Sequence, residues 1–132
     1  MTIAADVTAG TRAAATAMYG AVARGDLETF MSFISPSIVV EEPPFLPYGG
    51  RHTGIDGLQR LFGEFAQRFD LSGLEIDRVL VDGDHACAFS RVPTADRTST
   101  VVFVERAIFE NGKAINLRVY LHDTGNLLEG DT

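Results

Sequence analysis

The chain has a single cysteine, Cys87, in 132 residues. A lone thiol excludes an internal disulfide and suits a reducing compartment, so the expected location is cytoplasmic. Basic residues are also scarce: 11 Lys and Arg stand against 18 Asp and Glu, for a net charge of −7. No basic cluster is present to neutralise phosphates, which argues against nucleic acid as a partner. Anionic membrane surfaces are disfavoured for the same reason. No apolar run approaches the ~20 residues of a membrane-spanning helix. Met1 to Gly10 lacks the basic-then-apolar pattern of a signal peptide. The histidines His52, His85 and His122 are scattered, with no i,i+4 pair and no cysteine beside them, so no metal site is expected.

What is present is enough for a core. Apolar residues make up 45% of the chain, and one domain over 1–132 is expected, with its core at about 11–124. A chain of this size buries roughly two-thirds of its unfolded surface. Residues 1–8 read as frayed. Ala14, Met18, Ala21 and Val22 mark a helical stripe from Thr11 to Arg24, ended by Gly25. Asp26 reads as the N-cap of a short second helix to about Phe33. After a Ser35-Pro36 turn, Ile38–Glu42 is a strand and 43–53 a loop. Leu58, Leu61, Phe62, Phe65 and Phe69 recur at three- and four-residue spacings in a third helix, about Asp56 to Phe69.

Beyond Asp70 the period drops to two. Strands are expected at Leu74–Val81, His85–Val92, Thr98–Phe109 and Lys113–Asp123, with hairpin signals at Asp82-Gly83 and Asn111-Gly112. The tail from Gly125 reads as polar and loose. Helices segregated from a strand meander predict an α+β fold, with helices on one face of a curved sheet. Such a sheet makes a cone, either packed solid or open as an apolar pocket.

The stretch 38–50 stands out. Two carboxylates, Glu41 and Glu42, close a buried strand just before Pro43-Pro44, where the strand must stop. An aromatic, Gly-rich loop follows. A poorly solvated carboxylate has the raised pKa that general acid–base chemistry uses. Parity with Ile38 and Val40 points Glu42 inward and Glu41 outward.

Several segments share an order and spacing: Tyr19 with Gly25-Asp26-Leu27, Val39-Val40-Glu41-Glu42-Pro43, Gly54 with Gly57-Leu58, and Phe109-Glu110-Asn111-Gly112-Lys113 running to Tyr120 and Asp123. Together they resemble the nuclear transport factor 2-like superfamily, and within it the SnoaL-like polyketide cyclases and ketosteroid isomerases, over about residues 11–124. The resemblance implies a cone-shaped α+β barrel of cystatin-like type, with three N-terminal helices on a curved antiparallel sheet. It also implies an isomerase or cyclase acting without a cofactor on a small apolar carbonyl compound. A non-catalytic binding or scaffold module of the same fold is the alternative.

By that resemblance Glu42 is the proton shuttle and Glu105 the donor to the substrate oxyanion. The position of the family's oxyanion-binding tyrosine falls on Met18, with Tyr19 one residue and about 100° further round the helix. Asp123 resembles the acid/base of the cyclases. Arg91, on the strand parity of Cys87 and Phe89, resembles the water-positioning arginine of the fold's epoxide hydrolases. Pocket-lining candidates are Met18, Phe45, Tyr48, Phe62, Phe89, Arg91, Phe103, Leu117 and Leu121. Cys87 is expected as a small buried hydrophobe. His52 and His85 are expected in exposed positions, and His122 on the polar face.

Glu105 is tested by the Asn111-Gly112 turn. A two-residue loop pairs Glu110 with Lys113 and puts Glu105 opposite Arg118, on the polar side. A three-residue loop with a bulge puts it opposite Leu117, in the cone. The apolar residues on its parity, Val101, Phe103, Ala107 and Phe109, favour the inward reading. On the outer face, Val102, Val104 and Ile108 lie among Arg118, Tyr120 and His122, too apolar a surface to stay wet, so a homodimer is expected.

Overall fold

The computed structural model of the chain describes residues 3–125, 127 and 128. Helix α1 spans Ile3–Ala23 and α2 spans Leu27–Ser32. Strand β1 is Ile34–Glu42 and β2 is Gly50–Thr53. Helix α3 is Gly54–Arg68. A short 3₁₀ turn at Leu71–Gly73 leads into β3, Glu75–Asp82. Strands β4 (His85–Pro93), β5 (Thr100–Glu110) and β6 (Lys113–Asp123) complete the chain. The sheet order is β2-β1-β6-β5-β4-β3. The helices pack over one curved face and close a cone-shaped α+β fold, with α1 against β3 and β4 and α3 against β1. None of the described helices is long and apolar enough to cross a membrane.

Local chemistry sets the joints. Asp26 caps α2 by accepting from the Thr29 amide at 3.1 Å. Gly25 leaves α1 with φ +75°, a conformation that costs glycine little. Asn111 and Gly112 both take positive φ, 53° and 77°, as a two-residue hairpin turn requires.

Several expectations need correction. The N-terminal segment is helical from Ile3, and Thr8 Oγ1 accepts from the Gly83 amide at 2.8 Å, tying α1 to the β3–β4 turn. Ser35-Pro36 lies within β1, next to a register shift between Ile34 and Val39. Part of the expected 43–53 loop is β2, paired antiparallel with β1. The sheet is not wholly antiparallel, because β1 runs parallel to β6. In the tail, Leu127 is buried in the core; residues 126 and 129–132 lie outside the described set.

Candidate active site

Residues of one β5 parity are drawn inward: Val101, Ala107 and Phe109 are buried, and Phe103 and Glu105 border a cavity. The hairpin turn is the two-residue form, with Glu110 opposite Lys113, yet Glu105 lies opposite Val119 rather than Arg118. A bulge reconciles the two. Phe109 pairs Ala114 and Ile108 pairs Asn116, so Ile115 is an extra residue in β6. One extra residue moves every later β6 side chain to the other face. Arg118 therefore pairs Arg106 on the outer face.

The cavity, of about 660 Å³, lies between the sheet and the helices. That volume is typical of small-molecule sites. An aromatic wall runs along it, with Phe30 to Phe62 at 5.7 Å, Phe62 to Phe65 at 6.4 Å and Phe65 to Phe69 at 5.9 Å between ring centroids. Tyr48 continues the wall, edge-on to Phe65 at 5.5 Å. His52 Nε2 donates to the Tyr48 carbonyl at 2.8 Å and fixes that loop. Leu27 and Leu71, both exposed, mark where the cavity reaches the surface.

Three ionisable groups meet inside. The Tyr19 hydroxyl donates to Glu105 Oε1 at 2.9 Å. Glu42, at the end of β1, is 7% exposed, and its Oε2 has no hydrogen-bond partner among the described residues. Burial pushes the Glu42 carboxyl up to about 8, and the neighbouring Glu105 charge adds to the effect. Burial likewise lifts Glu105 to about 7, while the Tyr19 hydrogen bond pulls it down. Glu105 still keeps some accessible surface, because it borders the cavity. Tyr19 and Tyr48 are both raised, chiefly by burial, then by Glu105 and Glu42 respectively.

The structure thus brings Tyr19, Glu42, Tyr48, Phe62, Phe103, Glu105, Leu117 and Leu121 to one cavity. Five of the candidates fall elsewhere. Met18 is wholly buried and does not line the cavity; it is Tyr19, one position on, that reaches the cavity. Phe45 is 60% exposed, beside a shallow depression outside the cone. Phe89 and Arg91 point outward because Ala86, Ala88, Ser90 and Val92 take the buried parity of β4. Arg91 is held there by Glu75, at 2.8 Å from Nε, and by Asp77, at 3.4 Å from Nη2. No described arginine therefore stands between cavity carboxylates, and the epoxide-hydrolase reading loses its key residue. Cys87 shares that outward parity and is half-buried rather than core.

Asp123 pairs with the outward Val102 because His122 is a second extra residue in β6. It is exposed, and its Oδ1 accepts from the Gly125 amide at 2.8 Å. Glu41 turns to the outer face, where Asn116 donates to it at 3.2 Å. The sequence reading missed Ser90, buried and cavity-lining. The alternation of Ala86, Ala88 and Val92 carried the signal. Phe65 and Phe69 were legible as a helix face but not as a cavity wall.

Three helices over a curved six-stranded sheet, enclosing an apolar cavity, define the nuclear transport factor 2-like fold. The chain belongs to the SnoaL-like domain family, which it matches over residues 15–117. Solved structures share the fold at low identity. A protein of cystatin-like fold from Xanthomonas campestris superposes with a TM-score of 0.73 at 22% identity, covering 86% of this chain and 91% of its own. A proposed ketosteroid isomerase from Kribbella flavida gives 0.72 at 20% identity, covering 89% and 81%. TerC, co-crystallised with polyporic acid, gives 0.72 at 20% identity, covering 87% and 92%. No curated protein sequence matches the chain.

Proposed function

We propose that this chain is a small-molecule enzyme that moves protons within an apolar carbonyl compound, as an isomerase or cyclase, without a cofactor. The observation that carries the reading is the Tyr19–Glu105 hydrogen bond, set in the same cavity as the unpartnered carboxyl of Glu42. Acid–base catalysis is most effective when the group's pKa lies near the working pH. Two coupled acids near 7 and 8 supply one protonated and one ionised carboxyl around neutrality, and they titrate as a pair. In the productive state Glu42 removes a proton next to the carbonyl. That state is the minor arrangement of the singly protonated pair, since Glu42 holds its proton more tightly than Glu105. In it protonated Glu105, its Oε1 accepting from Tyr19, donates to the enolate oxygen, where charge develops. The aromatic wall holds the apolar body and keeps water out.

Isomerisation of a β,γ-unsaturated steroid ketone tests this. Wild type should convert it, and Glu42→Gln should be slower by about 10²–10⁴-fold, the usual contribution of a positioned acid–base group. Absence of turnover in wild type removes the steroid assignment and leaves cyclisation to be tried.

A second reading, a non-catalytic binder of a lipophilic ligand, is favoured by the largely apolar cavity lining. TerC, crystallised with polyporic acid, is a structural neighbour that fits either reading. We also place the protein in the cytoplasm, on its single cysteine, and expect it to pair with a second copy through the outer sheet face.

A further inference from the structure

The cavity lining includes two carboxyls, Glu42 and Glu105. Glu42 is more than nine-tenths buried, faces the cavity and leaves Oε2 without a partner among the described residues. Glu105, the second carboxyl, is satisfied at Oε1 by the neutral Tyr19 hydroxyl. The only Lys or Arg on the described cavity wall is Arg24. Its side chain is 58% exposed and pairs with Asp26 at 3.3 Å. A buried acceptor left unmade costs free energy that a donor-bearing ligand can recover.

We infer that this cavity is a binding site for an apolar molecule carrying a protonated amine, with its ammonium group seated against Glu42. An ammonium group brings three donors and no acceptor. It therefore gives the otherwise unpartnered carboxyl of Glu42, which borders the cavity, a donor and leaves no new acceptor buried. Its charge-assisted hydrogen bond is stronger than one from a neutral hydroxyl. The surrounding aromatic side chains of Tyr48, Phe62, Phe65 and Phe69 line the cavity and cover the apolar body. A carboxylate ligand would meet two acids and, as counter-charge on the described wall, only Arg24, already paired with Asp26. This inference goes beyond the proton-transfer reading: it needs the acids and the cavity, but no turnover, so either can fail without the other.

Three probes with one body test it: phenylbutylamine, phenylbutanol and phenylbutyrate, titrated by calorimetry into the chain somewhat above pH 8, where Glu42 is largely ionised and an alkylamine, like a lysine side chain, keeps its proton. The amine should bind tighter than the alcohol by roughly tenfold or more, since charged hydrogen bonds are about twice as strong as neutral ones, and phenylbutyrate should bind weakest. The preference should persist at high salt, because a buried contact is little screened. In Glu42→Gln it should vanish while alcohol binding holds. Should that variant fail to fold, the salt series and a pH series on wild type decide, and the amine preference should fade as pH falls below about 8 and Glu42 takes up its proton. Equal binding of amine and alcohol, loss of the preference in salt, or its survival in folded Glu42→Gln would overturn the inference.

Discussion

Glu42 and Glu105 differ in their partners. Glu105 has a tyrosine hydroxyl on Oε1, whereas one oxygen of Glu42 has nothing among the described residues. Both are held above the ordinary 4.5, at about 7 and about 8. The folded chain therefore keeps protons that the unfolded chain releases. The stability tied to these groups is complete below about pH 4.5, is lost as pH rises towards 7 and 8, and levels off above that. Every tenfold difference in proton affinity between the folded and unfolded chain corresponds to about 1.4 kcal/mol. Melting temperature should thus fall between about pH 5 and pH 8, and Glu42→Gln should flatten part of that fall. A melting temperature that rises across the window, and that Glu42→Gln leaves unaltered, would contradict the assignment of these acids as buried.

At the scale of elements, the 43–49 loop carries Tyr48 to the cavity through a tight backbone approach. A Cβ on Gly49 would lie 2.2 Å from the Pro43 carbonyl oxygen and 2.9 Å from that of Leu46. Neither is a flexible side-chain end, so Gly49→Ala should force the loop open. The expected cost is about 1–3 kcal/mol, the usual range for overpacking, read by urea denaturation, with the Tyr48–Phe65 contact disturbed. Wild-type stability in Gly49→Ala would show that the loop yields without strain.

The helices, the hairpins and the inward parity of Glu42 were legible in the sequence because each rests on local periodicity or turn chemistry. What escaped was register. The Asn111-Gly112 turn alone predicts Glu105 opposite Arg118, and the extra Ile115 undoes that pairing. The extra His122 likewise turns Asp123 outward against its apparent parity. In β4 two interleaved sets, one with Cys87 and Phe89 and one with Ala86 and Ala88, were both apolar enough to be the inner face. The small residues won, because α1 packs closely against β4. The parallel β1–β6 pairing joins segments distant in sequence, and no local pattern announces it.

For the molecule as a whole, the face opposite the cavity mixes charged side chains with exposed apolar ones. Leu80, Phe89, Val102 and Tyr120 are all exposed on it. Pairing of two copies across it would cover them, so light scattering should give the mass of a dimer, and Val102→Glu should shift the population to monomer. A monodisperse wild-type monomer would count against the pairing. The cone itself matters because it takes one acid from β1 and one from β5 into a single poorly solvated space. Carbon NMR of the Glu side-chain carboxyls across a pH titration reads this most directly. Two carboxyls should titrate near 7 and 8, with Glu105→Gln lowering the Glu42 midpoint. Midpoints near 4.5 for both, unaffected by substitution of the other, would contradict the account.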